Sequence, residues 1–161
     1  ILEGAQVTRE GLFDAMRAAT VLHVAAHGAH RVDAPHLSYI QLEDGRLTAG
    51  DLFQRTLSAS LITLSACDSG QAVIQVGDDP VGLARGFLAA GARSVLVSLW
   101  QLEDNCALAL MRRFYEKLAD GAPKAGALRS AQLSWLQEAD GRFRHPFYWG
   151  GLQLVGDVGP L

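Results

Sequence analysis

Apolar residues recur along this chain in two rhythms. In the first, they return every three or four positions, as on one face of a helix. Over residues 7–18, Leu12, Ala15 and Met16 (with Ala19 just beyond) keep that spacing, and Thr8 stands where an N-cap belongs. Residues 48–54 read as a short capped helix. Residues 81–90 read as a helix opened by Pro80 and stopped at Gly91, a residue suited to the left-handed turn after a helix. The longest helix is expected over 104–118, closed by Asp120-Gly121, and another over 124–138. In the second rhythm the apolar run is short and continuous, as in strands. Such runs occupy 21–27, ending at Gly28; 61–66, stopped by Cys67-Asp68-Ser69-Gly70; and 94–100. Residues 38–42, before a turn at Asp44-Gly45, and 151–155 read as further strands, and 71–79 as loop.

Strands alternating with helices make βαβ units and a parallel sheet. The runs around Val24, Ile62 and Val97 lack polar alternation, as strands do when helices cover both faces. The expectation is one α/β domain over 1–161, a three-layer α/β/α arrangement around a mostly parallel central sheet. Sites in such sheets form at the carboxyl ends of strands. His27-Gly28, Cys67 to Gly70, and Trp100-Gln101 stand there.

Composition narrows the class of function. With 161 residues, 49% of them hydrophobic and 19% charged, the chain can bury the core of one domain. A net charge of −3 argues against nucleic acid held by an overall basic field. No apolar run approaches the ~18 residues of a membrane span, and no leader pattern opens the chain. A first residue of Ile leads us to expect a longer parent chain. Two cysteines, Cys67 and Cys106, are too few for a secreted disulfide scaffold, so a cytoplasmic location is expected. There is no glycine-rich phosphate loop with a lysine, and no cofactor is implied.

His27 and Cys67 follow two different strands. A thiol needs a base to hold it as thiolate near neutral pH, and imidazole is the usual one. Gly28 and Gly70 would let backbone N–H groups approach a substrate carbonyl. A buried structural thiol and a core histidine are the other reading of the same two positions. His23, His27, His30 and His36 crowd one region and raise a metal site. On a strand, His23 and His27 would stand about 13 Å apart at ~3.3 Å per residue, too far to share one zinc. His23 therefore reads as a hydrogen-bonded histidine within the sheet, and no metal is expected. A phosphatase loop would carry Arg where Val73 stands, and a hydrolase elbow would flank the nucleophile with glycines that are missing here. Cys106 has no histidine near it in sequence and reads as helix packing. Asp68, Asp78, Asp79, Glu103 and Asp104 are either solvated loop and helix-start acids or a rim that selects basic substrates.

Taken in order, Leu22-His23-Val24-Ala25-Ala26-His27-Gly28, Leu64-Ser65-Ala66-Cys67-Asp68-Ser69-Gly70, Phe87 to Ala92, Ser98-Leu99-Trp100, Phe114-Tyr115, and His145-Pro146 with Trp149 resemble a CHAT domain. That is a caspase-like cysteine peptidase domain often joined to tetratricopeptide repeats. The resemblance implies a caspase-like fold with Cys67 as nucleophile and His27 as general base and acid. It implies an oxyanion hole from the N–H groups of Gly28 and Cys67. It also implies a protein or peptide substrate and an upstream repeat region or regulatory protein, with neither nucleic acid nor membrane as partner. Two departures stand out. The chain begins where such domains have usually finished a first strand, so an edge strand is expected to be lacking. The motif Ala66-Cys67-Asp68-Ser69-Gly70 is nearer the legumain form than the caspase form. Caspases hold an acidic substrate side chain with arginine, one of which follows a Trp after the next strand. Here Ser98, Trp100 and Gln101 occupy that run, so Ser98, Trp100, Gln101 and Asp68 are expected to shape a pocket that does not take aspartate. The rival function is a catalytically silent protein-binding module of the same fold.

Overall fold

In the computed structural model, residues 1–29, 31, 33–65, 81–138 and 140–161 are described. Helix α1 (Arg9–Ala18) starts where the Thr8 hydroxyl accepts the Gly11 N–H at 3.2 Å. The chain then enters β1 (Val21–Ala25) and crosses into β2 (Gly28–Ala29). A hairpin follows, β3 (Tyr39–Leu42) and β4 (Gly45–Thr48). Helix α2 (Ala49–Leu52) opens with a capping box in which Thr48 and Asp51 satisfy each other's backbone N–H groups. Next come β5 (Leu61–Ser65), α3 (Val81–Ala89) and β6 (Ser94–Ser98). Helices α4 (Asp104–Ala119) and α5 (Lys124–Glu138) and strand β7 (Leu152–Gly156) complete the order.

The described residues form a mixed α/β structure whose central sheet runs β1-β5-β6-β7. Strands β1, β5 and β6 are parallel, and β7 runs antiparallel to β6. Alternation along the strands divides the apolar side chains into two clusters. Val24, Ile62, Leu64, Val95 and Val97 pack with Leu12 and Met16 of α1 and Ala84 and Phe87 of α3. Leu61, Leu96 and Leu152 pack with Leu110, Phe114 and Leu118 of α4 and Leu128 of α5. The four-residue steps between Leu110, Phe114 and Leu118 put them on one stripe of α4.

Helix α3 ends against the loop before β5. Leu57 N–H donates to the Ala90 carbonyl at 2.6 Å, and Gly91 adopts φ +110°. A Cβ there would lie 2.6 Å from the Leu57 carbonyl oxygen, so side chain and backbone angle both demand glycine.

Three features depart from the sequence reading. The turn at Asp44-Gly45 joins two strands of a separate antiparallel sheet, β2-β3-β4, where one strand was expected. The apolar run expected to continue through residue 27 breaks after Ala25, because Gly28 pairs with Ile40 in that second sheet. Strand β1 is also not covered on both faces: His23 and Ala25 are exposed. It lies at the edge of the four-stranded sheet, whereas β5 and β6, inside it, have four buried residues each.

Candidate active site

Parallel pairing brings the carboxyl ends of β1, β5 and β6 to one edge. The β1–β5 register ends at Ala25 opposite Ser65. His27 stands two residues beyond Ala25, and Cys67 stands two residues beyond Ser65 in the sequence. Neighbouring strands run about 4.8 Å apart, so Ala25 and Ser65 stand side by side at the ends of β1 and β5. Cys67 and Asp68 themselves lie outside the described residues, as do Asp78, Asp79 and Gly70.

His27 is exposed. Its carbonyl accepts the Gln41 N–H at 2.6 Å, which anchors the residue to β3. That bond identifies Gly28 and Ile40 as a non-hydrogen-bonded pair of the antiparallel ladder. The Gly28 N–H is therefore directed away from β3, not into it.

His23, four residues earlier, is placed quite differently. Its Nε2 lies 2.9 Å from Ser65 Oγ and its Nδ1 lies 3.1 Å from Tyr115 Oη. The Tyr115 hydroxyl donates in turn to Thr63 Oγ1 at 2.8 Å. Burial holds the His23 imidazole below its ordinary pKa, because the charged form loses solvation. Burial likewise raises Tyr115, against the opposing effect of its bond to Thr63. Tyr115 was visible in sequence only as part of a family-like pair, with no role attached.

At the end of β6, the Ser98 hydroxyl donates to the Trp100 carbonyl at 2.5 Å, closing the turn that presents the indole. Trp100 Nε1–H donates to the Phe147 carbonyl at 2.8 Å. The two rings stack at 6.2 Å with 13° between their planes. Gly151 supports the other contact: a Cβ there would lie 3.0 Å from the indole Nε1. Ser98 and Trp100 are thus brought together, Gln101 is exposed beside them, and Phe147 joins them from a distant segment. The only sequence sign of Phe147 was its place in an aromatic run after Pro146.

The second thiol is of another kind. Cys106 is free and buried, 1% exposed, in the first turn of α4. Burial, and then the Glu103 carboxylate beside it, push its pKa up to about 12. Such a thiol is no nucleophile near neutral pH. Glu103 caps α4, accepting the Cys106 N–H at 2.9 Å, and the Asn105 amide at 2.9 Å. Its carboxyl is held below the usual range first by a hydrogen bond from the Cys106 thiol and then by the bonds from the Cys106 N–H and Asn105. Glu103 thus serves as a helix-start acid, and Asp104 follows it, exposed, in the first turn.

A family model described as the CHAT domain matches residues 1–157. Tetratricopeptide repeat protein 28 of Mus musculus is 34% identical over 110 residues, 68% of this chain and 4% of that protein. Tetratricopeptide repeat protein 28 of Homo sapiens is 32% identical over 115 residues, 71% of this chain and 4% of that protein. The chain thus spans a small part of the length of the curated relatives it matches.

Proposed function

The chain belongs to the CHAT-domain family, and on that premise we propose that it is a cysteine endopeptidase with a Cys67–His27 dyad. CHAT domains belong to the caspase-like peptidase superfamily. The observation that carries the reading is the register: with Ala25 opposite Ser65, His27 and Cys67 follow neighbouring parallel strands by the same two residues. The two apolar clusters, formed by alternate positions of the same strands, support the three-layer α/β/α arrangement of a caspase-like fold.

In this mechanism the Cys67 thiolate attacks the scissile carbonyl carbon, with His27 having taken the thiol proton. The developing oxyanion is met by the N–H groups of Gly28 and Cys67; the Gly28 ladder position, which leaves its N–H aimed away from β3, supports that role. Protonated His27 gives its proton to the leaving amine as the C–N bond breaks. Water then hydrolyses the thioester, with His27 accepting its proton and returning one to the sulfur. The substrate is a protein or peptide. Trp100 bounds the pocket for the residue before the scissile bond, with Ser98 fixing its turn. Gln101 brings no cation to offset a buried aspartate, and Asp68 disfavours one further, so aspartate is not the preferred residue there. The tetratricopeptide name of the relatives supports an upstream repeat region that regulates the domain or delivers substrate to it, and the two cysteines support a cytoplasmic location. No helix among the described residues is long and apolar enough to cross a membrane.

The test is labelling of the full-length protein by peptide acyloxymethyl ketones that differ in the residue before the reactive group. Cys67 is expected to carry the label, and Cys67→Ala to abolish both labelling and turnover. His27→Ala should lower turnover by about 10²–10⁴-fold, the usual contribution of a general base. Label on Cys106, or a dominant preference for aspartate, contradicts the reading. No label with the repeat region and its partners present points to the silent protein-binding module instead.

A further inference from the structure

The end of β1 is held by apolar packing on one face alone, through Val24. Among the described residues the strand lies at the edge of its sheet, the face bearing His23 and Ala25 is exposed, and its ladder to β5 runs as far as Ala25 opposite Ser65. Beyond that point the chain turns away into the second sheet, carrying His27 with it. On this weakly covered face, one side chain reaches both neighbours. His23 is opposite Thr63 in the register, yet its ring extends past that partner to Ser65 on the same face, 2.9 Å from Nε2. Its other nitrogen meets Tyr115 Oη at 3.1 Å, and Tyr115 donates to Thr63 at 2.8 Å. With the Tyr115 proton given to Thr63, the phenol oxygen accepts from Nδ1–H, which leaves Nε2 of the neutral ring to accept from the Ser65 hydroxyl. Four side chains from β1, β5 and α4 form one connected chain. It lies at the Ala25–Ser65 end of the β1–β5 ladder, two residues in sequence before His27 and Cys67.

We propose that His23 is a positioning residue: bridging Ser65 and Tyr115, it clamps the end of β1 to the end of β5 and so fixes His27 opposite Cys67. The proposal rests on the dyad reading for its catalytic consequence, though not for the clamp itself. Hydrogen bonds suit this task because they set distance and direction, whereas the hydrophobic effect is non-directional. A small misplacement of base against nucleophile is enough to cost rate. His23 neither touches substrate nor exchanges a proton with Cys67 in this scheme.

The experiment compares Ser65→Ala, His23→Gln and Tyr115→Phe in the full-length protein with the unchanged chain. Ser65→Ala removes one hydroxyl, and circular dichroism establishes that each variant is folded. Two quantities are read: kcat against KM on peptide substrate, and the pH profile of Cys67 alkylation by iodoacetamide. A clamp predicts that Ser65→Ala and His23→Gln lower kcat by about tenfold or more with KM little changed. It also predicts that the Cys67 thiol titrates nearer the ordinary ~8.5 once its base is misplaced. Folded variants with unchanged kcat and an unchanged alkylation profile overturn the proposal. If the unchanged chain itself cleaves nothing and Cys67 titrates as an ordinary thiol, the dyad reading fails on its own. The clamp is then judged by hydrogen exchange at the amides of residues 25–28: faster exchange in Ser65→Ala supports it, and equal exchange overturns it.

Discussion

The two faces of the β1–β5 pair differ in kind. On one, Val24, Ile62 and Leu64 are buried at 6%, 0% and 5% exposure among the side chains of α1 and α3. On the other, His23, Thr63 and Ser65 alternate with them along the same strands and are joined through hydrogen bonds with Tyr115. The apolar face holds the strands to the helices without fixing any one distance. The polar face contributes little burial at β1, yet it ties three elements at set lengths. Stability and alignment are thus assigned to opposite sides of the same two strands, and substitutions on the two sides should fail in different ways.

The largest effect on stability is expected at Phe87, fully buried against the apolar face. Phe87→Ala should lower the free energy of unfolding by about 3–5 kcal/mol in urea titrations, while labelling per folded molecule is retained. Thr63→Val keeps the volume of a fully buried residue but leaves the Tyr115 hydroxyl without its acceptor. A loss of about 1–3 kcal/mol is expected, smaller than at Phe87, with a fall in kcat that Phe87→Ala lacks. A Thr63→Val loss equal to that of Phe87→Ala would erase the distinction between the faces. Tyr115→Phe, which removes donor and acceptor together, should cost about 1 kcal/mol.

Two pH dependences have opposite sense. The folded His23 pKa lies below its ordinary 6.5, so the fold favours the neutral ring. Its contribution is complete above about 6.5 and is lost as pH falls through the lowered folded value. Urea midpoints should decline on acidification through that window, and His23→Gln should flatten the decline. Cys106 behaves inversely, because its folded pKa is raised from 9.0 to about 12. Its contribution is complete below about 9 and lost as pH rises toward 12, so Cys106→Ala should remove an alkaline loss of stability. At neutral pH, Cys106 should resist iodoacetamide in the folded protein.

Helix starts were legible because capping is local. Thr8 and Thr48 make the bonds expected of N-caps, and the expected helix over 124–138 matches α5 (Lys124–Glu138). The interior strands were legible for a related reason: continuous apolar runs have no other place to go in so short a chain. The hairpin of β3 and β4 was half-read, since the turn at Asp44-Gly45 was plain but the polar pattern of Gly45–Thr48 gave no strand signal. The reversed direction of β7 was not legible either, because a five-residue strand reads alike in either sense along the sequence.

For the site, local pattern placed His27 after one strand and Trp100 after another, and the lack of a histidine near Cys106 in the sequence favoured helix packing for that thiol, which is buried in α4. These follow from the residues themselves: caps, glycines and apolar runs act over a few positions, so they can be read along a line. Which strands become neighbours depends on how the whole chain buries its apolar surface, a sum over distant segments. Tertiary structure alone therefore set Ala25 opposite Ser65, swung Phe147 onto Trp100, and brought Tyr115 of α4 within 3.1 Å of His23 on β1. Their distance along the chain is what hid them: hydrogen bonds and ring stacking act over a few ångströms of space, and these partners are 40 to 92 residues apart.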